Sequence, residues 1–363
     1  MRKFLTLIMA MPVFLFSFSC SSGDEDSIEE PVAENLYFPP GNSGTWENVS
    51  ISALGWNSNA LQPLLDYLEQ KDSKAFIILK NGRIAVEAYF NGGSATNSYP
   101  WFSAGKTLTA FTTGIAQQEG LLNLDDPSSN YLGTGWSSLN PTDEEQIKVR
   151  HHITMTTGID FNVPDLNCTD AACLDYLNPA GTYWYYHNAT YTLAQKIVEG
   201  SSGQMFSSYF NTKVRNMIGM DGSWIGLNYN NIYFSTARSM ARFGLLNLNK
   251  GKWINTVILA DQQYFTEMTS TSQNLNKSYG YLWWLNGQES YRIPGSTTLF
   301  EGKLVPAAPD DLISGLGAND QKLYVVPSKG LVIVRLGADA GEAQLGPSGF
   351  DTLLWEKIND LIN

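Results

Sequence analysis

Two hairpin patterns, one near each end of the chain, constrain the fold more than any other feature of the sequence. Apolar residues recur through 75–80 and 83–90, and the Asn-Gly pair between these runs suits a type I′ turn. Two further apolar runs, 323–326 and 331–334, flank a Pro-Ser-Lys-Gly turn. Helical patterns dominate about 140–285. The sequence therefore predicts an α+β fold, in which strands from the N- and C-terminal parts form one antiparallel sheet flanked by helices, with a helix-rich insertion.

Apolar residues at helical spacing predict the helices around this sheet. One of them begins at Ser103 and ends near Gly120, because glycine is a common C-terminal helix cap. The other predicted helices cover 59–70, 149–158, 190–199, 235–248 and 350–361.

The N-terminus has the layout of a targeting segment. Two basic residues precede a mostly apolar run, 4–18, which is too short to cross a membrane and resembles a secretory signal. The Ser-Cys pair that follows resembles the lipobox of bacterial lipoproteins. We therefore expect a signal peptide at 1–19, lipid on Cys20, an acidic flexible tether at 20–38 and a catalytic domain at 39–363. The protein would then be an exported outer-membrane lipoprotein, periplasmic or on the cell surface; the alternative is an ordinary signal peptide with an incidental cysteine.

Composition excludes several classes of function. The chain has 363 residues and a formal net charge of -12, which disfavours binding to nucleic acid because such binding neutralises phosphates. Its three histidines do not form a known metal-binding motif. We expect a monomer that needs no metal and no cofactor and acts on a small-molecule or peptide substrate.

The two cysteines outside the N-terminal segment, Cys168 and Cys173, lie close together in the sequence. In an exported protein such a pair is typical of a local disulfide bond that closes a loop. The alternative is a pair of buried thiols.

A serine and a lysine one helical turn apart are the strongest chemical signal. Ser103 and Lys106 share one helix face, at the end where free backbone N–H groups favour developing negative charge. A serine needs a neighbouring base to become a nucleophile, and a lysine can serve if burial lowers its pKa. Taken alone, the pair would be interpreted as a helix cap and a surface charge, because so short a pattern also occurs by chance.

A second group of polar residues follows downstream. Tyr186 and Asn188 form a Y-x-N arrangement within an aromatic run. A tyrosine close to a lysine ammonium can act as a general base and then as a general acid. Without the serine and lysine, this run would be interpreted as loop packing.

Together these motifs resemble the serine β-lactamase and penicillin-binding-protein superfamily, on its class C branch. The resemblance covers about 39–363, and the order and spacing of the matching motifs are specific to this superfamily. It is carried by Ser103-x-x-Lys106, by Tyr186-x-Asn188, and by the stretches 119–127, 149–158, 235–244 and 315–327. The resemblance implies a β-lactamase/transpeptidase-like fold.

The resemblance also implies a role for each matching residue. Ser103 would attack a carbonyl carbon and form an acyl-enzyme, with Lys106 and Tyr186 sharing the work of the base. Asn188 would orient the substrate and Lys106. The backbone at Gly317 and Ala318 would bind substrate, and the N–H groups of Ser103 and Ala318 would form the oxyanion hole.

One departure from the family pattern bears on the substrate. β-Lactamases and D,D-peptidases usually carry Lys-Thr-Gly at the third motif, where the cation helps to hold the substrate carboxylate. Here the matching residues are Gly315, Leu316 and Gly317. We therefore expect weak β-lactamase activity and a carboxylesterase or amidase related to the 6-aminohexanoate-oligomer hydrolases. The alternative enzyme is a D-amino-acid peptidase that acts on cell-wall peptides.

Two other interpretations stay open from the sequence. A Ser-His-Asp hydrolase would need one of the histidines, His151, His152 or His187, but the G-x-S-x-G motif is absent. A catalytically silent surface protein could bind glycan or peptide on an aromatic platform formed by Tyr183, Trp184, Trp283 and Trp284.

Overall fold

The computed structural model describes residues 35–41, 44–341 and 347–363. The predicted signal peptide, the lipidation site at Cys20 and most of the tether lie outside these residues. Among the described residues, no helix has the length and apolar character needed to cross a bilayer.

In the described chain, most strands lie toward the two ends and most helices lie between them. The helices are α1 (Leu61–Gln70), α2 (Lys106–Gln118), α3 (Ser129–Leu132), α4 (Pro141–Gln146), α5 (Val149–Ile153), α6 (Asn188–Ser202), α7 (Phe206–Phe210), α8 (Ala237–Leu248), α9 (Gln262–Met268) and α10 (Gly349–Ile362). The strands are β1 (Ser73–Lys80), β2 (Arg83–Tyr89), β3 (Tyr99–Pro100), β4 (Ser223–Leu227), β5 (Asn230–Ser235), β6 (Lys252–Trp253), β7 (Thr256–Val257), β8 (Trp284–Leu285), β9 (Ser290–Tyr291), β10 (Phe300–Glu301), β11 (Ile313–Gly317), β12 (Gln321–Val326) and β13 (Leu331–Gly337).

The main sheet joins the two ends of the chain. Its strand order is β2-β1-β13-β12-β11-β8, and every neighbouring pair is antiparallel. The central contact pairs β1 with β13 from Ser73 opposite Gly337 to Lys80 opposite Leu331. The predicted α+β class, with a sheet built from both termini, is therefore confirmed.

Both predicted hairpins are present. Asn81 and Gly82 connect β1 to β2 with φ values of 47° and 84°, as a type I′ turn requires. Gly330 ends the short 3₁₀ turn between β12 and β13 with φ of 59°, a left-handed conformation that glycine adopts without strain.

The two faces of the sheet are covered by different helices. On one face α8 packs so closely that a Cβ on Gly244 would lie 2.4 Å from Val332 Cγ1. On the other face, the Arg335 guanidinium lies 5.2 Å from the centre of the Phe350 ring of α10. Residues 332 and 335 point to opposite faces because side chains alternate along a strand. Burial on both faces explains why β13 is a continuous apolar run apart from this arginine.

The insertion contains the helices that surround α2. Helix α6 packs along α2 and α5, and α9 contacts α2 from another side. The predicted helix 149–158 is wrong in length, since α5 ends at Ile153. The chain leaves the helix because Met155 has φ of 59°, and the N–H of Thr156 then donates to the His151 carbonyl at 2.9 Å.

Candidate active site

The segment that carries Ser103 is anchored through a tryptophan. Trp101 is fully buried, its backbone N–H donates to the Tyr233 carbonyl at 2.8 Å, and its indole N–H donates to Ser235 Oγ at 2.8 Å. The chain then forms one 3₁₀ turn, Phe102–Gly105, before α2 begins at Lys106. Strands β3 and β5 therefore fix the point from which the serine is presented.

The residue before the serine has an unusual backbone conformation. Phe102 has φ of 46°, in the left-handed region that a bulky residue seldom occupies. Strained backbone of this kind persists only where the surrounding contacts enforce it, and it is common at active sites.

Ser103, Lys106 and Asn188 form one hydrogen-bonded group. Lys106 Nζ donates to Ser103 Oγ at 2.8 Å and to Asn188 Oδ1 at 3.0 Å. The first contact follows from the i, i+3 spacing on one helical turn, and the second from the packing of α6 along α2. The structure thus brings the two halves of the predicted site together.

The environment of Lys106 favours its neutral form. The side chain is 2% exposed, and burial lowers its pKa from 10.5 to about 7. The rings of Tyr186 and Tyr191 lie 4.7 Å and 4.2 Å from Nζ and act in the opposite direction, because aromatic faces attract a cation. A lysine balanced in this way can accept a proton near neutral pH.

Tyr186 has the opposite preference. Burial raises the pKa of its phenol well above the usual value, and a hydrogen bond with Ser103 offsets only part of that rise. Its ring stacks on Trp284 at 5.8 Å and meets Tyr279 edge-on at 6.2 Å. The hydroxyl is therefore held beside Ser103 in its protonated form.

Asn188 begins α6 and has partners on both sides. Its Oδ1 accepts from Lys106, and its Nδ2 donates to Asn167 Oδ1 at 2.9 Å. Asn167 was not predicted to belong to the site. It precedes Cys168, which is joined to Cys173 by the disulfide bond. Adjacency to this cysteine pair is the one signal in the sequence that could have drawn attention to it.

The third-motif strand passes very close to the serine segment. A Cβ on Gly317 would lie 2.3 Å from the Trp101 carbonyl oxygen, and a Cβ on Gly315 would lie 3.1 Å from Thr107 Cγ2. The glycine at 317 is therefore required for this approach. Ala318 follows directly and lines the same cavity as Ser103.

The cavity above Ser103 has a volume of about 190 Å³. Its lining is mainly apolar, with amide and hydroxyl groups at a few points: Phe102, Ser103, Lys106, Leu166, Asn167, Tyr186, Asn188, Tyr191, Asn230, Ile232, Pro294, Gly295 and Ala318. A larger cavity of about 540 Å³ lies beside the other end of β11, at Ile313, and reaches neither Ser103 nor Lys106. We assign the site to the smaller cavity on its chemistry.

The histidines do not line this cavity. His151 Nδ1 accepts from a backbone N–H at 3.1 Å, which is a structural contact. His152 is fully buried between a serine hydroxyl and a backbone carbonyl. His187 is 3% exposed, and its Nε2 lies 3.2 Å from a backbone carbonyl. Burial lowers the pKa of His187 to about 4 and that of His152 to about 3. These contacts do not support a Ser-His-Asp triad.

The aromatic platform is not present on the surface. Trp184, Trp283 and Trp284 are at most 2% exposed and belong to the main core. Tyr183 is half-buried, and its ring stacks with that of Phe161. Within the described ranges, no group of three or more histidine, cysteine or acidic side chains is placed to hold a metal ion.

Comparison with known proteins gives distant relatives of the same architecture. A curated but uncharacterized protein of Alkalihalophilus pseudofirmus is 23% identical over 315 residues, which cover 76% of this chain and 85% of the relative. A structure from Bacteroides dorei, provisionally assigned as a β-lactamase, has a TM-score of 0.67 at 17% identity, covering 85% of this chain and 99% of that one.

Two further structures carry names of other hydrolases. One, from Bacillus anthracis and provisionally assigned as a 6-aminohexanoate-dimer hydrolase, has a TM-score of 0.67 at 17% identity, covering 91% of this chain and 89% of that one. A family VIII carboxylesterase has a TM-score of 0.62 at 14% identity, covering 84% of this chain and 97% of that one. At these identities the structural matches establish the fold.

The Beta-lactamase family model matches residues 65–352, most of the chain. This range contains the Ser103–Lys106 pair, Tyr186, Asn188 and the third-motif strand. The chain therefore belongs to the Beta-lactamase family and is a serine hydrolase.

Proposed function

We propose that this protein hydrolyses esters or amides with a short acyl group, through an acyl-enzyme on Ser103. The observation that carries the proposal is the 2.8 Å contact between Ser103 Oγ and the buried amine of Lys106. A nucleophile within hydrogen-bond reach of a base with a pKa near the working pH is what acyl transfer requires.

In the first step, neutral Lys106 accepts the proton of Ser103 Oγ while the oxygen forms a bond to the substrate carbonyl carbon. The N–H groups of Ser103 and Ala318 stabilise the resulting oxyanion. Tyr186, which retains its proton, donates it to the leaving oxygen or nitrogen as that bond breaks. The Lys106 ammonium then returns a proton to the phenolate.

In the second step, water attacks the acyl carbon and Lys106 again accepts the proton. The bond from the acyl carbon to Ser103 Oγ then breaks, and the proton passes back to that oxygen. The enzyme returns to its starting state without any other reactant. Lys106 is thus the main base, and Tyr186 is the acid for the leaving group.

The lining of the cavity supports substrates without a carboxylate beside the scissile bond. Lys106 is the one cationic side chain among the described residues of the lining, and it is committed to Ser103 and Asn188. Arg292 lies in the loop that supplies Pro294, but its guanidinium donates to the backbone carbonyls of residues 275 and 297. A volume of about 190 Å³ is also below the usual range of ligand pockets, roughly 300–1,000 Å³, which favours short acyl groups.

The test is intact-mass spectrometry of the folded protein after exposure to a fluorophosphonate, to p-nitrophenyl acetate and to benzylpenicillin. We expect a fluorophosphonate adduct and a transient acetyl adduct, both lost in Ser103→Ala. Ser129→Ala, at a half-buried serine outside the site, is the matched control and should retain both.

The alternatives predict different results. A D-amino-acid peptidase or penicillin-binding protein would accumulate the penicilloyl adduct, which would contradict the substrate preference proposed here. A catalytically silent binding protein would show no adduct with any of the three reagents.

We further propose that the protein is exported and tethered to the outer membrane through lipid on Cys20, as a monomer. The support is the order of basic residues, apolar run and Ser-Cys pair at the N-terminus. Metabolic labelling with a fatty acid should mark the full-length protein, and Cys20→Ala should abolish the label. A label that persists in this variant would contradict the proposal.

A further inference from the structure

A chain of hydrogen bonds connects a carboxylate just before the disulfide-bonded segment 168–173 to Lys106. Asn167 Nδ2 donates to Asp165 Oδ1 at 2.7 Å. Asn188 Nδ2 donates to Asn167 Oδ1 at 2.9 Å, and Lys106 Nζ donates to Asn188 Oδ1 at 3.0 Å. The side-chain amides of Asn167 and Asn188 therefore connect Asp165 to Lys106.

The chemistry of these groups fixes the direction of the line. A carboxylate only accepts hydrogen bonds, whereas an amide has one donor end and one acceptor end. With its NH₂ on Asp165, Asn167 must turn its oxygen toward Asn188. Asn188 then turns its NH₂ toward Asn167 and its oxygen toward Lys106. Orientations of amides are assigned from networks of this kind, and here the acceptor-only end removes the ambiguity.

We propose that Asn167, oriented by Asp165, is a positioning residue that keeps the oxygen of Asn188 on Lys106. This proposal rests on the function proposed above, because it assigns Asn167 a role in the same site. Were the Asn188 amide reversed, its NH₂ would donate to the lone pair of neutral Lys106. That lone pair would then be unavailable for the proton of Ser103.

The loop that carries Asn167 is fixed to α6. The carbonyl of Leu166 accepts from the backbone N–H of Ala189 at 2.8 Å, directly after Asn188. The disulfide bond between Cys168 and Cys173 closes the loop on the other side of Asn167. Asn167 is thus held at both ends, and its side chain has little freedom to leave Asn188.

The groups that face Lys106 come from three segments. Ser103 is on the 3₁₀ turn that precedes α2. Tyr191 is on α6, and Tyr186 is on the segment just before α6. Asp165 is connected to Lys106 through the two amides. Loss of the fixed amide orientation would place an N–H donor against the ammonium. That contact disfavours the protonated form, so the pKa of Lys106 should fall.

The chain contains a matched control for this arrangement. Asp160 and Asn162 form the same local turn, in which Asp160 Oδ1 accepts from the backbone N–H of Asn162 at 2.8 Å and from its Nδ2 at 2.9 Å. The corresponding distances at Asp165 and Asn167 are 2.9 Å and 2.7 Å. Asn162 is exposed and lies outside the site cavity.

The experiment compares Asn167→Leu with Asn162→Leu. For Asn167→Leu we expect kcat for p-nitrophenyl acetate to fall about tenfold with little change in KM, because a misdirected group costs rate rather than binding. The acidic limb of its pH profile should move about one unit lower. Asn162→Leu should leave both unchanged.

A conservative variant separates orientation from packing. Asn167→Asp keeps an oxygen acceptor toward Asn188 whether its carboxyl is charged or protonated. Its kcat should stay within about threefold of the wild type, and its acidic limb should not fall below the wild-type position.

A second readout needs no turnover. With ¹³Cε-labelled lysine, the NMR titration of Lys106, assigned by its loss in Lys106→Arg, should have a lower midpoint in Asn167→Leu than in the wild type or Asn162→Leu. An unchanged midpoint in a folded Asn167→Leu protein would overturn the positioning role. A normal Lys106 titration in a wild type that forms no acyl-enzyme would instead overturn the proposed function.

Discussion

Two buried lysines occupy very different surroundings in this fold. Lys322, on β12, is fully buried, and its Nζ lies 2.7 Å from Asp351 and 3.1 Å from Asp320. Lys106 is almost as deeply buried, but its hydrogen bonds go to a neutral hydroxyl and a neutral amide. In the part of the chain that the structure describes, no carboxylate lies within salt-bridge distance of Lys106.

This difference separates a lysine that stabilises the fold from a lysine that can act as a base. Two carboxylates compensate the charge of Lys322, and Asp351 also accepts from the backbone N–H of Ser348 at the start of α10. The cluster therefore ties the last helix to the sheet. The uncompensated Lys106 is free to lose its proton. Burial alone does not make a lysine reactive; burial without a counter-charge does.

Replacing each lysine in turn by methionine tests this comparison, and we expect the largest effect at Lys106. Lys106→Met should reduce the rate of Ser103 acylation about 10⁴-fold, because the base is lost. The far-UV spectrum and cooperative unfolding should be preserved. A loss of less than about tenfold would show that another group is the base.

At the paired lysine the effect should fall on stability. Lys322→Met removes the cation that lies within salt-bridge distance of two buried carboxylates, which should lower the free energy of unfolding by about 3–5 kcal/mol. Urea unfolding measures this change. The folded fraction should keep most of its acylation rate, although Asp320 adjoins the turn after Ala318. Unchanged stability would mean that the cluster contributes little.

The smallest expected effect is a difference in the pH dependence of stability. The pKa of Lys106 is about 7 in the folded protein and 10.5 ordinarily, so the unfolded chain binds more protons between these values. Wild-type stability should therefore rise with pH across this window relative to Lys106→Met. Near neutral pH the variant should be the more stable protein, by about 1–2 kcal/mol. Urea unfolding at each pH measures this difference. If the free energies of unfolding of the two proteins changed with pH in parallel, the lowered pKa of Lys106 would be contradicted.

Local patterns explain what the sequence could predict. The hairpins, the helix after Ser103 and the Tyr186-x-Asn188 element all depend on residues that are close in the chain. The pairing of the two ends followed from the presence of strands at both, since isolated hairpins need a partner.

The remaining features depend on how distant segments meet. The loop that carries Asn167 folds back onto the start of α6 and so brings this side chain to Asn188. No local sequence pattern encodes that contact. The burial of Trp283 and Trp284 follows from the packing of the short edge strand β8, too brief to give a periodic signal. The low pKa of Lys106 needs the whole enclosure of that side chain, which is a property of the folded core.

The most direct test of the account is the single-turnover rate of Ser103 acylation by p-nitrophenyl acetate as a function of pH, followed by rapid-quench intact-mass spectrometry. The rate should rise with pH through a midpoint near the pKa of Lys106, about 7, with the acetyl group on Ser103. A rate that does not change with pH through this region, or an acetyl group on any other residue, would contradict Lys106 as the base that activates Ser103.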